Sequence, residues 1–224
     1  QMSRVTGKER REQIIDAAIQ LFAEAGFTGT TTRRLAEAAG ISEAGLYLHF
    51  DTKEALYEAI IRRKATEFAG FSRRLRELMA GEPPRRVFGA FAEFMLETHT
   101  RDKAFLRLLL HSGLEQHALF QMFFRAQVRE TADLLRSYVE EQQRAGAFRA
   151  CEPRLVVRAF IGMLVHHLLH QEVFGVRELG VYTPEEAAPV FLSIFLDGVA
   201  RPAAGEASNP AVPGAEQPVE RPCA

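Results

Sequence analysis

The stretch Thr30–Lys53, TTTRRLAEAAGISEAGLYLHFDTK, decides the fold. It reads as two short helices joined by Ala39-Gly40-Ile41. Thr30 and Thr31 supply a hydroxyl for the free N–H groups at the start of the first, which runs through Leu35, Ala36 and Ala39. Gly40 permits a sharp turn that a side chain would resist. Ser42 caps the second helix, through Leu46, Tyr47 and Phe50, and Thr52 caps the next, beginning at Lys53. Ala36, Ala39, Ile41, Leu46 and Phe50 provide the small and apolar groups that hold the pair together. The pattern is a helix-turn-helix. In that motif the second helix enters the major groove of DNA and its early residues meet base edges. Here those residues are Ser42, Glu43, Ala44 and Gly45.

Outward from this stretch the chain reads helical nearly throughout. Upstream, Ile14, Ala17, Ala18, Leu21, Phe22 and Ala25 share one face of a helix from about Lys8 to Ala25, which Gly26 stops. Downstream, the spacing predicts helices to about Ala80, then over about 85–100, 102–116, 119–145 and 153–175. A last helix over about 184–200 opens with Thr183-Pro184-Glu185-Glu186. Beyond it Pro, Ala, Gly and Glu dominate, a composition that cannot bury enough apolar surface to order itself. The expected fold is all-α, about nine helices. Residues 1–52 form a three-helix unit carrying the helix-turn-helix, 53–200 a helical bundle, and 201–224 a disordered tail.

Of the 224 residues, 47% are hydrophobic and 25% charged, enough to build a sizeable core. The net charge of −1 argues against a uniformly basic surface, yet Arg4, Lys8, Arg10 and Arg11 face only Glu9 in an N-terminal arm. Cys151 and Cys223 have no metal-type spacing, which fits a reducing cytoplasm. There is no signal-like N-terminal apolar run and no stretch of membrane-spanning length. Serine-hydrolase, zinc-protease, P-loop and dinucleotide motifs are absent, and no histidine has a glutamate three places before it, so an enzyme is not expected.

The set formed by QIIDAAIQLFAEAGF (Gln13–Phe27), TT-x-x-x-L-A, A-G-I-S and L-Y-x-H-F with a following Lys-Glu resembles the N-terminal domain of the TetR (tetracycline-repressor-like) family, over roughly residues 10–60. The resemblance implies a ligand-responsive regulator, a repressor, that binds a palindromic operator in double-stranded DNA as a homodimer. It implies phosphate contacts for Tyr47 and His49. Lys53 and nearby backbone N–H groups would hold another phosphate, and Thr31, Arg33 and Arg34 would grip the flanking backbone or reach a base. The chain departs from the family pattern at Glu43, Gly45 and Leu48, where direct base readout becomes thin.

Between about Arg85 and Ala145 the apolar set is dense and aromatic. It reads either as a bundle core or as a pocket for an apolar or amphipathic ligand. The candidate ligand residues are Phe91, Phe94, Met95, His99, Phe105, Leu109, Phe123, Arg125, Gln127, Met163 and His167. Arg125 is placed either to hold an acidic head group or on the solvated surface. His166 and His170 are one turn apart, as zinc ligands can be, but no Cys or carboxylate is placed to complete a site; no metal and no cofactor are expected. The last two helices are apolar around most of their circumference and, as in the family, would pair with a second copy through Phe160, His166, Phe191, Leu192 and Phe195. A helical interaction module without a small ligand is the alternative, and it would lack a cavity.

Overall fold

Helix α1 (Gly7–Ala25) opens with a reciprocal cap: Thr6 Oγ1 accepts from Glu9 N–H at 3.2 Å, and the Glu9 carboxylate accepts from Thr6 N–H at 2.7 Å. A computed structural model describes residues 6–124, 128–178 and 180–200, the side chains of Leu119, Met122 and Phe123 excepted. The chain continues through α2 (Thr32–Ala38), α3 (Glu43–Tyr47), α4 (Lys53–Met79), α5 (Pro84–Arg101), α6 (Lys103–Leu114), α7 (Ala118–Phe123), α8 (Arg129–Arg144), α9 (Pro153–Leu168) and α10 (Pro184–Val199). Thr31, Ser42, Thr52, Asp102 and Thr183 each cap the following helix with a side-chain oxygen. Among the described residues no strand forms; one isolated bridge ties Phe148 to Ala200. No described helix is long and apolar enough to cross a membrane.

Two boundaries differ from the sequence reading, and two readings fall partly or wholly outside the described residues. Helix α3 ends at Tyr47, because His49 and Phe50 both donate to the Leu46 carbonyl and Phe50 turns inward, 4% exposed. The expected single helix over 119–145 is recorded as α7 and α8, with residues 125–127 outside the described residues. The helix expected to reach Gly175 is α-helical only to Leu168, then widens into a π turn over Leu169–Val173. That turn holds Glu172 in the interior against Lys103 Nζ at 2.5 Å, while Arg107 donates to the Glu172 and Val173 carbonyls at 3.4 and 3.3 Å. The tail 201–224 and Arg4 of the basic arm lie outside the described residues.

Two apolar cores result. The first joins α1, α2 and α3 to the first half of α4 and to Phe105 and Leu108 of α6. The second joins Phe71 and Leu75 of α4 to α5, α8, α9 and α10 around Phe88 and Phe160. Helices α4 and α6 thus belong to both halves of the molecule.

Candidate DNA interface and ligand cavity

The turn between α2 and α3 is built on Gly40, whose φ is +65°, and is closed by Ile41 N–H donating to the Ala36 carbonyl at 3.0 Å. Leu35, Ala36, Leu46 and Phe50 are buried behind it. Ser42, Glu43, Ala44 and Tyr47 are therefore left on the outer face of α3, with Gly45 half-buried and Leu48, 85% exposed, just beyond. Thr31, Arg33 and Arg34 stand exposed at the start of α2, on the same side as Glu43, whose carboxylate accepts from Thr32 Oγ1 at 2.7 Å. Glu43 thus braces α3 on α2. Arg33 pairs with Glu37 at 2.9 Å on the surface, a contact of little energetic weight.

Lys53 is turned inward. Its ammonium donates to the carbonyls of Phe27 and Thr30 at 2.9 and 3.0 Å and lies 4.1 Å above the Phe27 ring. It clamps the start of α4 to the α1–α2 turn, and it retains one further N–H for another partner. His49 is half-buried beside Tyr47.

In the second half, a cavity of about 400 Å³ opens between α4, α5, α6, α7, α8 and α9. Phe91, Phe94, Met95, His99 and Leu109 line it as expected from sequence, and Phe68 and Phe71 of α4 complete an aromatic wall. Phe71 stacks on Phe94 with centroids 3.9 Å apart, and Phe68 meets Phe94 edge-on at 5.4 Å. The spacing of Phe68 and Phe71, three apart on a long helix, was the available signal for them.

Other expected members lie elsewhere. Phe105 is fully buried in the first core, under Lys64. Met163 and His167 line a separate, open cleft of about 500 Å³ with His166, His170 and Phe191. Arg125 and Gln127 lie outside the described residues, as does the side chain of Phe123. Of the residues expected at a dimer interface, Phe160, Leu192 and Phe195 are 0%, 7% and 5% exposed in the single chain and pack in its own core. Among the described residues no cluster of three His, Cys, Asp or Glu is arranged to hold a metal ion.

The two regions meet at α6. Leu106, Leu109, Leu110 and Gly113 face the cavity. On the other side of α6, the Ser112 hydroxyl pairs with the buried Tyr57 hydroxyl. Just past the end of α6, the Glu115 carboxylate accepts from Phe27 and Thr28 N–H at 3.1 and 3.4 Å, and the His117 ring lies 4.2 Å from Phe27. Burial and the Glu115 charge both push the Tyr57 phenol upward, so it stays protonated and able to donate. Gly26 has φ +69°, a backbone conformation that favours glycine, and a Cβ there would displace the Glu115 carboxylate, which it would meet at 2.4 Å.

Residues 14–60 match the family described as bacterial regulatory proteins, tetR family. The regulator YerO of Bacillus subtilis is 31% identical over 164 residues, which span 70% of this chain and 56% of YerO. The repressor KstR2 of Rhodococcus jostii is 29% identical over 199 residues, 86% of this chain and 92% of that protein. In three dimensions the chain is similar to the ketosteroid regulator KstR2 of Mycobacterium tuberculosis, with TM-score 0.66 and 22% identity over 89% of this chain and 100% of that one. It is equally similar to AibR, solved with isovaleryl coenzyme A and operator DNA, with TM-score 0.66 and 22% identity over 83% and 97% of the two chains.

Proposed function

The chain belongs to the TetR family of bacterial regulatory proteins, and on that premise we propose that it is a ligand-responsive transcriptional repressor, bound to a palindromic operator as a homodimer and released by a small apolar or amphipathic molecule. Helix α6 carries this reading: one face lines the cavity, its opposite face pairs with Tyr57 of α4, and Glu115 at its end grips the α1–α2 turn that orients the recognition helix. A ligand that changes where α6 rests changes the position of α3. By linkage it weakens operator affinity by the same factor that the operator weakens ligand affinity. The presence of a cavity favours this reading over an interaction module without a ligand.

Residues 1–52 act as the DNA-binding unit, 53–200 as the sensing and dimerisation unit, and 201–224 as a tail. Thr31, Arg33, Arg34, Tyr47 and His49 hold backbone phosphates, joined by the N–H groups at the start of α4 rather than chiefly by the engaged Lys53 ammonium. Ser42, Ala44 and Gly45 approach the bases. The dimer is carried by the outward stripe Leu155, Ala159, Gly162 and His166 of α9 and by Val190 and Ile194 of α10, all exposed in the single chain. The protein works in the cytoplasm and performs no catalysis.

Selection of binding sites from random duplex DNA at stated salt tests the reading. A palindrome will be enriched, and Tyr47→Ala will lower affinity for it at least tenfold, since one anchoring contact is lost in each half-site. Enrichment of no sequence, with binding only salt-sensitive, would overturn it. The α6 grip has its own check. In Glu115→Ala, amide exchange at Phe27 and Thr28 will accelerate at least tenfold, while amides in α9 keep their rates.

A further inference from the structure

Among the described residues, one buried side-chain polar atom has no hydrogen-bond partner, Nδ1 of His99. His99 is 4% exposed and lines the 400 Å³ cavity. An unmet polar atom in an apolar interior is costly, so its position calls for an account. The other polar side chain in the described lining, Thr131, is already engaged: its hydroxyl pairs with Ser72 Oγ at 3.2 Å. The Phe68 ring lies 6.2 Å from the His99 ring, and Phe94, Met95 and Leu106 line the same cavity. Water is a poor filler for such a space, because one imidazole cannot supply the two to four polar partners a buried water needs.

We infer that the cavity binds an uncharged lipophilic molecule through one hydroxyl group hydrogen-bonded to His99 Nδ1. The inference rests on the regulator reading only for calling that molecule an effector. A hydroxyl satisfies Nδ1 in either neutral tautomer, because it both donates and accepts. Burial, reinforced by the neighbouring Lys64 ammonium and opposed by Asp102, pushes the imidazole down to about 4, so the anchor is neutral at physiological pH. A neutral anchor offers no countercharge to a carboxylate, and burying that charge is far costlier than burying a hydroxyl. Lys64 does not fill the gap. Its ammonium is taken by Asp102 at 2.7 Å and Glu67 at 3.1 Å. The volume suits a molecule of about 10–20 non-hydrogen atoms.

The test is titration calorimetry of the purified full-length protein, without DNA, using 1-decanol, 1-fluorodecane and decanoate. Decanol will bind at least tenfold tighter than 1-fluorodecane, which keeps the chain and loses the hydroxyl. Decanoate at pH 7.5 will bind at least tenfold more weakly than decanol. His99→Phe will abolish the preference for decanol over 1-fluorodecane, whereas His99→Asn, which keeps a polar group, will retain part of it. Both variants must still bind the selected operator, which shows that they fold. Equal binding of decanol and 1-fluorodecane, a preference for decanoate, or binding of none of the three would overturn the proposal. Any of these together with intact operator selection would leave the DNA-binding reading standing, and loss of operator selection with the decanol preference intact would do the reverse.

Discussion

Phe88→Ala will destabilise the protein by about 3–5 kcal/mol, read as a lower urea midpoint at unchanged slope. Phe88 is fully buried where α5, α8, α9 and α10 converge. Its ring lies 5.2 Å from Phe160, 4.8 Å from Phe195, 6.1 Å from Tyr138 and 6.4 Å from Phe148. Removing it takes away the transfer free energy of the ring and leaves a void that its aromatic neighbours, three on separate helices and Phe148 on the α8–α9 connection, cannot easily refill. The expected damage extends to the proposed dimer surface, because the outward stripes of α9 and α10 rest on this cluster. Phe174→Ala is the matched control. Phe174 is 65% exposed, and its removal will change stability by no more than about 0.5 kcal/mol. A small effect at Phe88 would mean that the bundle repacks and that the aromatic cluster does not set its geometry.

Acidification will remove about 3 kcal/mol of stability between pH 6.5 and pH 4, and His99 will account for most of it. The imidazole titrates at about 4 in the folded protein against an ordinary 6.5, because burial penalises its charged form. In the unfolded chain it takes up a proton as pH falls through 6.5. In the folded chain it resists until about 4, so the unfolded state binds more protons across that window and stability falls with falling pH. The gap between the two values corresponds to about 3 kcal/mol. His167, lowered by burial, adds in the same direction. Burial opposes the Asp102 charge, but the Lys64 ammonium and the Phe105 N–H hold its carboxyl below the usual range. The stability Asp102 contributes is therefore lost only below that range, beneath the histidine window. Denaturant titrations at pH 7 and pH 4.5 will show a steep loss in the parent and a much shallower one in His99→Phe. Equal losses in the two would show that His99 is accessible to solvent protons while the protein remains folded.

What the sequence made legible is what is encoded locally. Thr31, Ser42 and Thr52 announce helix starts because a hydroxyl three residues before a free N–H is a short-range contact. Gly26 and Gly40 mark stops because their backbone angles suit only glycine. Those signals, with the period of the apolar residues, gave the all-α fold and the position of the helix-turn-helix. The apolar period of α9 and α10 announced burial but not its direction: it could not say that Phe160, Leu192 and Phe195 face their own bundle while Leu155 and Ile194 face outward.

The remaining features depend on partners far along the chain. The family resemblance reads Lys53 as a phosphate ligand, but no local signal announces that its ammonium also holds the carbonyls of Phe27 and Thr30, over twenty residues earlier. Phe105 and Leu109 sit one helical turn apart on α6 and both pack on the core beneath the DNA-binding half, yet Leu109 also lines the cavity, because α6 is wedged between the two. Glu115 carried no motif at all. Its role as a clamp exists only because the end of α6 arrives beside two N–H groups left free past α1. The sequence by itself determined the helices, their caps and the DNA-reading motif, since period and capping act within one turn of chain. Only the tertiary structure decided which face of each helix meets which neighbour, and so left, among the described residues, the Nδ1 of His99 unpaired in an apolar cavity.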